Sequence, residues 1–306
     1  MAVSRVTRRR LIRDAGVAGA GLAASTSLGR TASAIAASTR RQTVAVFGGG
    51  IAGLTAAHEL AERGFDVTIY ERRAWGGKAR STEVPGTGTG GRKNLPGEHG
   101  WRVFFGFYQN LPDTFRRIPY GSHPQGVFDN LVGAPQLGVS RDGGRRDLTI
   151  PLGAADPRVY TPAEVLDLVI GAALQLHLPP QAVAQFADRM LVYFSSCDAR
   201  RIGQWENVNW IDFSGGDRYG DDYRRILVNS VSEVVQASKA ERTSAQFPSH
   251  VWELVIYNLL RRNSNGAVFR FMNRPTNEAL IDPWLRVLDG LGVQRRMAHE
   301  LVGWNM

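Results

Sequence analysis

The stretch from Val44 to Glu71 limits the possible folds more than any other part of the chain. In order it holds an apolar run (44–47), a glycine turn (48–53), a helical segment (54–63) that Gly64 ends, and a second apolar run (67–70) that stops at Glu71. Strand, glycine turn, helix, strand and acid in this order make the first half of a dinucleotide-binding unit. The sequence therefore predicts an α/β fold built around a Rossmann-like domain.

Each glycine of the turn has a mechanical role in such a unit. Gly48 permits the tight turn after the strand, Gly50 lets backbone approach a pyrophosphate, and Gly53 lets the helix pack closely on the sheet. The helix N-terminus, which includes Ile51 and Ala52, offers unpaired N–H groups and a partial positive charge to phosphates. A structural glycine turn without a ligand is the alternative, and the strand and helix on either side favour a nucleotide site.

The acid at the end of the second apolar run bears on which dinucleotide binds. Glu71 lies 18 residues beyond Gly53, where a carboxylate accepts hydrogen bonds from ribose hydroxyls. The same carboxylate repels a 2′-phosphate, so the sequence disfavours NADP although Arg72 and Arg73 follow. Arg72 is included among the predicted cofactor contacts.

A second glycine turn follows the acid almost at once. The segment from Gly76 to Ser81 contains two cations, Lys78 and Arg80, and such a turn can bring backbone and a guanidinium to the same pyrophosphate. The run from Val44 to Ser81 resembles the FAD-binding start of the flavin amine oxidase and phytoene desaturase superfamily. That superfamily pairs a Gly-x-Gly-x-x-Gly turn with a downstream Gly-Gly-Arg/Lys turn, so FAD is the predicted cofactor.

A third segment extends the resemblance. Residues 95–108 look like the flavin-proximal strand of the desaturase-like branch, which includes hydroxysqualene dehydroxylase-type enzymes. The catalytic residues stay unknown, with His99, beside the expected flavin position, as the single candidate acid or base. The resemblance implies four FAD-lining residues, the last of them approaching the flavin ring: Gly77, Lys78, Arg80 and Gly100.

The predicted architecture is an incomplete Rossmann-like FAD-binding domain with a helix-rich substrate domain inserted. The expected divisions are an export leader or disordered arm (1–41), the N-terminal part of the FAD-binding domain (42–110), the mostly helical substrate domain (111–285) and the start of a return to the FAD domain (286–306). The return consists of a helix from Trp284, which Gly292 stops, and a strand that re-enters the cofactor sheet.

Local patterns place further elements inside the substrate domain. A hairpin is expected around Asp142-Gly143-Gly144, and a helix capped at Thr161 to Glu164 is expected to run to about Leu178, with other helices near 181–196, 221–238 and 246–262. Five aromatic residues either wall an apolar pocket for a lipid-like or polyene substrate or, as is commoner, pack the core. They are Trp205, Trp210, Phe213, Trp252 and Tyr257.

The formal net charge of +9 is concentrated in the N-terminal arm. Residues 1–41 hold eight Arg and one Asp, which leaves 29 basic and 27 acidic residues for the body. Because the body lacks a basic stripe with interleaved aromatics, the sequence disfavours nucleic-acid binding. The single cysteine, Cys197, is expected in the core, and the six His show no metal-ligand spacing, so no metal is predicted.

The N-terminal arm resembles a twin-arginine export signal. Thr7 to Arg13 contains the arginine motif, and a mild apolar stretch (15–28) and small-residue sites follow it. The apolar stretch is too short and too weak for a transmembrane helix. A periplasmic or extracellular protein is expected, with a cytoplasmic protein carrying a disordered arm as the alternative.

Two functions of different classes are compatible with the sequence. The first is an FAD-dependent oxidoreductase acting on an apolar or amine-bearing small molecule, in which the protein orients the substrate and excludes water. The second is a truncated, non-catalytic relative that binds FAD weakly or acts only as a binding protein. The second is considered because superfamily members are longer and no second FAD-contacting segment is recognised before Met306. The substrate, the electron acceptor and the oligomeric state stay open.

The export signal makes a direct prediction. Replacing Arg8 and Arg9 together with Lys should keep the full chain in the cytoplasm, because the resemblance places the pathway's recognition in that arginine pair. Cell fractionation measures the location, with Arg40 and Arg41 changed to Lys as a matched control outside the motif. Equal export of both variants would show that the arm is not a twin-arginine signal.

Overall fold

The structure is a computed structural model, and it describes most of the chain beyond the arm. The described residues are 41–303, apart from positions 101, 141, 145, 152–160, 162, 165–166, 168–169, 172–173, 175 and 263. The predicted leader, all but its last residue, therefore lies outside the described residues, as do the final three residues of the predicted return.

The first half of the described chain holds most of the strands. Its strands and helices are, in order, β1 (Thr43–Phe47), α1 (Ile51–Glu62), β2 (Asp66–Glu71), β3 (Ser81–Glu83), β4 (Pro96–Glu98), β5 (Val103–Phe105), α2 (Asn110–Arg116), β6 (Leu131–Gly133), β7 (Gln136–Val139) and β8 (Leu148–Pro151). Short 3₁₀ turns cover Gly77–Ala79 and Gly126–Asn130.

The second half is mostly helical. In order it holds α3 (Pro180–Phe194), α4 (Asp198–Gly203), α5 (Trp210–Ser214), α6 (Gly220–Tyr223), α7 (Gln246–Leu259), β9 (Phe269–Met272), α8 (Asp282–Gly290) and β10 (Gln294–Met297). A 3₁₀ turn covers Trp205–Asn207, and π-helical turns cover Arg224–Val228, Ser230–Val235 and Asn277–Ile281. None of the helices within the described positions is long and apolar enough to cross a membrane.

The predicted strand–helix–strand unit is present and supplies two of the three strands of a parallel sheet. β1 pairs with β2 from Thr43 opposite Asp66 to Phe47 opposite Tyr70, and α1 connects them. β10 pairs in parallel with the other edge of β2, so the strand expected after Gly292 lies in the same sheet. The mixed α/β, Rossmann-like fold predicted from the sequence is therefore confirmed.

Two apolar cores organise the described residues. The first joins α1 and β2 to the segments around α2 and α8, with Leu54, Ile69, Phe115 and Trp284 almost fully buried. The second lies within the helical block around Trp210 and contains no residue of the parallel sheet. Both ends of the described chain thus contribute to the core behind the glycine turn, and the domain boundaries given above stay a prediction.

Antiparallel strands connect the parallel sheet to the helical block. β5 and β6 both pair with β9, and β3 pairs with β4. β7 and β8 form the hairpin expected around Asp142-Gly143-Gly144, where both glycines have positive φ. The expected capping contacts are also present, since the Thr161 N–H donates to Glu164 Oε2 at 2.8 Å. Pro162 of the same motif lies outside the described residues.

The helical block differs from the prediction in its details. The continuous helix expected over 221–238 is α6 followed by two π-helical turns, and α4 and α5 were not predicted. The second core buries Trp205, Trp210 and Phe213, which agrees with the interpretation that these aromatic residues pack the core. Tyr257 is exposed. The expectation for Cys197 is wrong, because α3 ends at Phe194 and the cysteine lies exposed beyond its apolar face.

A buried ion pair braces this block. The Arg201 guanidinium donates to both carboxylate oxygens of Glu253 at 2.9 and 2.8 Å, and also to the carbonyls of Phe194 and Ser196. Because two further guanidinium donors are bonded to carbonyls, the pair avoids much of the cost of an incompletely bonded buried charge. It joins α4 to α7.

A buried histidine connects α1 to α8. The His58 side chain is 1% exposed, and its Nδ1 accepts a hydrogen bond from Trp284 Nε1 at 3.2 Å. The proton of the neutral ring is therefore on Nε2, which lies 3.1 Å from Glu62 Oε1 but off the hydrogen-bond direction. Burial lowers the pKa of His58 below its ordinary value of 6.5, although Glu62 opposes this.

This histidine makes folding stability depend on pH. As the pH falls through 6.5, the unfolded chain binds a proton on His58 more readily than the folded chain does, so acid favours unfolding. We expect the free energy of unfolding to fall between pH 7 and 5, by at most ~1.4 kcal/mol per pH unit from this group. His58→Gln should flatten that slope in denaturant titrations.

The control is His99→Gln, since His99 is exposed in the turn between β4 and β5. It should leave the slope as in the parent protein. Parallel slopes for the parent and the His58→Gln variant would refute the assignment.

Candidate functional site

The first glycine turn lies at the carboxyl end of β1, the edge where parallel sheets bind ligands. Gly48 has a φ of +103°, which favours glycine, and its N–H donates to the Tyr70 carbonyl at 2.8 Å. A Cβ on Gly53 would overlap the Gly48 carbonyl oxygen, so the first turn of α1 can approach the strand only with glycine there. Both glycines are required by the fold itself.

The N-terminus of α1 faces this turn with its amides unused by the helix. Gly50 is the N-cap, without a side-chain cap, and the first helical turn holds no acid. The Leu54 N–H makes the first helical bond, to the Gly50 carbonyl at 2.9 Å. The N–H groups of Ile51, Ala52 and Gly53 therefore have no partner inside the helix, and with the helix dipole they attract an anion.

The second glycine turn packs directly on the first. The Gly76 N–H donates to the Gly49 carbonyl at 2.8 Å, and Gly76 pairs with Gly50 as in a short parallel bridge. Gly76 and Gly77 have φ values of +90° and +57°. A Cβ on Gly77 would lie 3.0 Å from the Gly50 Cα. The structure thus brings together the two turns that the sequence assigns to one pyrophosphate.

Glu71 ties the first turn to the end of β2. Its Oε2 accepts the Gly49 N–H at 2.7 Å, and its Oε1 accepts the N–H groups of Arg73 at 2.6 Å and Ala74 at 3.3 Å. Partial burial alone would raise the pKa of this carboxyl, but the backbone hydrogen bonds outweigh it and hold the pKa below 4.5. The carboxylate is thus ionised at neutral pH and shapes the turn, a role that the sequence did not indicate.

The predicted cations differ in position. Arg80 is half-buried, and its Nη1 donates to the Gly77 carbonyl at 2.6 Å, so it braces the second turn. Lys78 is exposed in the same turn. Arg72 forms an exposed ion pair with Glu300.

His99 and Gly100 lie in the turn between β4 and β5. Both are exposed, and Gly100 has a φ of +83° with open space around the position of a Cβ. Their predicted approach to a flavin ring stays a prediction.

Two aromatic side chains were missed by the sequence reasoning. The Trp75 ring covers Gly49 so closely that a Cβ there would overlap it, and the Arg295 guanidinium lies 5.5 Å from the centre of that ring. His299 contacts Tyr70 with ring centres 5.8 Å apart. The sequence did contain a hint of an aromatic ring here, because the Gly-x-Gly-x-x-Gly pattern does not itself require the glycine at position 49.

Gly50 tests whether a dinucleotide fits. Its φ of −78° and ψ of −179° suit any residue, and a Cβ there would meet only the Gly77 Cα at an ordinary 3.8 Å. The fold therefore explains Gly48, Gly49 and Gly53 but not Gly50. A ligand whose phosphates contact the backbone explains it, since a side chain would occupy that space.

The described part of the chain offers a metal ion no comparable site. Within the residues that the structure covers, no group of three or more His, Cys, Asp or Glu side chains could hold one.

Comparison with known proteins supports the same unit. A family model described as a NAD(P)-binding Rossmann-like domain matches residues 46–118. Carotenoid phi-ring synthase from Chlorobaculum tepidum is 40% identical over 78 residues, which cover 25% of this chain and 11% of that protein. Zeta-carotene desaturase from Arabidopsis thaliana is 33% identical over 116 residues, which cover 36% and 18%.

The chain also resembles solved structures, at lower identity. An oxidoreductase from Methanosarcina mazei is 13% identical with a TM-score of 0.48, and the alignment covers 84% of this chain and 51% of that one. The chain thus spans about half of that structure and matches less than one fifth of the two curated relatives. The family model over residues 46–118 and these partial matches support the oxidoreductase superfamily that the sequence resembles.

The glycine turn gives a prediction with an internal control. Gly50→Ala should keep the melting temperature of the parent, because its backbone and space accept a Cβ, yet it should lose most flavin nucleotide affinity in a fluorescence titration. Gly53→Ala should instead lower the melting temperature, because its Cβ overlaps backbone. Retained affinity in a folded Gly50→Ala variant would count against a pyrophosphate at this turn.

Proposed function

We propose that the chain binds FAD across its two glycine turns and is an FAD-dependent oxidoreductase. The observation that carries the proposal is the direct contact of the turns, with Gly76 paired to Gly50 beside the unused amides of α1. The first turn and the helix N-terminus suit a pyrophosphate. The second turn, which Arg80 braces through the Gly77 carbonyl, can add backbone and a guanidinium.

Three features favour FAD among the dinucleotides. The resemblance from Val44 to Ser81 is to an FAD-binding superfamily, and its second glycine turn is present and in place. The ionised Glu71 disfavours the 2′-phosphate of NADP. Its Oε2 accepts one backbone N–H, which leaves capacity for a ribose hydroxyl.

Bound FAD supplies an acceptor for a hydride or electrons from the substrate. The chain's own residues hold the diphosphate and orient the nucleotide. We assign the substrate to the apolar class that the sequence analysis allows, because these curated relatives are named for carotenoids. The desaturase-like branch is part of the same proposal.

The location of the protein follows from the arm rather than from the fold. We propose twin-arginine export, supported by the order of arginine motif, apolar stretch and small-residue sites in residues 7–36. This route carries folded proteins, which suits an enzyme that acquires FAD before export.

The cofactor assignment is tested by titration. The purified chain incubated with FAD should retain visible flavin absorbance after gel filtration, and its affinity should decrease from FAD to NAD to NADP. Glu71→Ala should weaken FAD binding by ~1–3 kcal/mol, the scale of a hydrogen bond to a charged group.

Glu83→Ala is the matched control, because Glu83 is an exposed acid at the end of the neighbouring strand β3. Its FAD affinity should equal that of the parent protein. A parent chain that stays colourless after incubation would overturn the proposal.

A further inference from the structure

The segment just after the second glycine turn is bonded to a distant part of the chain. The Ser81 N–H donates to Asn277 Oδ1 at 3.0 Å, and the Asn277 N–H donates to Ser81 Oγ at 3.1 Å. The Asn277 side-chain amide also donates to the Ser81 carbonyl at 3.3 Å. These two residues are 196 positions apart, so the contact fixes the turn relative to the returning chain.

Glu98 completes this contact from the side. Its Oε1 accepts the Ser81 hydroxyl and the Thr276 N–H, both at 2.9 Å, and its Oε2 accepts the Thr276 hydroxyl at 2.9 Å. The Glu98 side chain is 17% exposed and lies 3.4 Å from the Arg102 guanidinium. One carboxylate thus joins β4, the start of β3 and the return segment.

The backbone of the return segment is unusual at this point. A π-helical turn starts at Asn277 and ends at Ile281. Asn277 bonds to Ser81, while the Ile281 side chain packs on Gly76, where a Cβ would lie 3.0 Å away. π-Helical turns are rare in proteins overall, and those that occur often lie at functional sites. Here the single turn holds the second glycine turn from both ends.

We infer that Glu98 is a positioning residue for the cofactor site, acting through Ser81, Thr276 and Asn277 to hold Gly76 and Gly77 against the first glycine turn. The inference rests on the proposed function. In this inference Glu98 itself does not contact FAD. Its removal leaves buried donors of Ser81 and Thr276 without an acceptor, which allows the second turn to move away from Gly50.

The variants separate this role from a general effect on folding. Glu98→Ala removes the acceptor for three donors. Glu98→Gln keeps the Oε1 that accepts two of them, and its amide can donate to the Thr276 hydroxyl oxygen. Ser81→Ala removes only the Ser81 hydroxyl, and it replaces Glu98→Ala in both measurements if Glu98→Ala does not fold. Glu83→Ala, an exposed acid on the same hairpin, is the matched control.

Two measurements decide the inference. In FAD titrations, Glu98→Ala should weaken binding about tenfold or more, Ser81→Ala should weaken it less, and Glu98→Gln should recover most of the loss. In hydrogen exchange without FAD, Glu98→Ala or Ser81→Ala should speed exchange across residues 76–81 but not across α1.

The outcomes distinguish the two proposals. If the parent chain binds no FAD but the variants exchange faster at 76–81, the proposed function is refuted. The inference that Glu98 positions the second glycine turn is then retained. Parent-like exchange and parent-like FAD affinity in folded Glu98→Ala would overturn the positioning role. Equal loss in Glu98→Ala and Glu98→Gln would also overturn it, since the retained acceptor would then make no difference.

Discussion

The candidate site depends on the close approach of two glycine turns, and the end of β2 fixes that approach. The register that sets Phe47 opposite Tyr70 also brings the Gly48 N–H to the Tyr70 carbonyl. One residue later, Glu71 accepts the Gly49 N–H, and the Gly49 carbonyl in turn accepts the Gly76 N–H. Strand register, carboxylate and turns therefore form one chain of hydrogen bonds. The geometry that suits a diphosphate is a consequence of sheet pairing.

The sequence was sufficient for the elements whose cause is local. The glycine turn, α1 and β2 follow from consecutive residues, because glycine spacing and an apolar run act over a few positions. The hairpin around Asp142-Gly143-Gly144 and the capping contacts of Thr161 were predictable for the same reason. The meeting of the two glycine turns was expected from their position just after the acid and from a resemblance, and the structure supplies its geometry.

Other features could not be read from the sequence because their partners are far apart. Glu98 and Thr276 are 178 positions apart, and neither residue type suggests the other. Trp75 explains Gly49 only once the fold brings the ring onto the backbone. The π-helical turns and the exposed position of Cys197 depend on where a helix gives way to its neighbours, which periodicity does not report. In the helical block, α3 and α7 lie close to the helices predicted at 181–196 and 246–262, while the prediction of one continuous helix over 221–238 was wrong.

The return segment explains how such a site tolerates a long helical block between its parts. Residues 272–293 supply part of the core behind α1, the contact to Ser81 and the helix that leads into β10. The entropic cost of closing the intervening chain grows only with the logarithm of its length, about 0.6 kcal/mol for each doubling. The block also buries its own aromatic core, so it adds little disorder to the closed loop. The stability of the site is thus set mainly by the contacts of the return segment. It depends only weakly on the length of the helical block that precedes this segment.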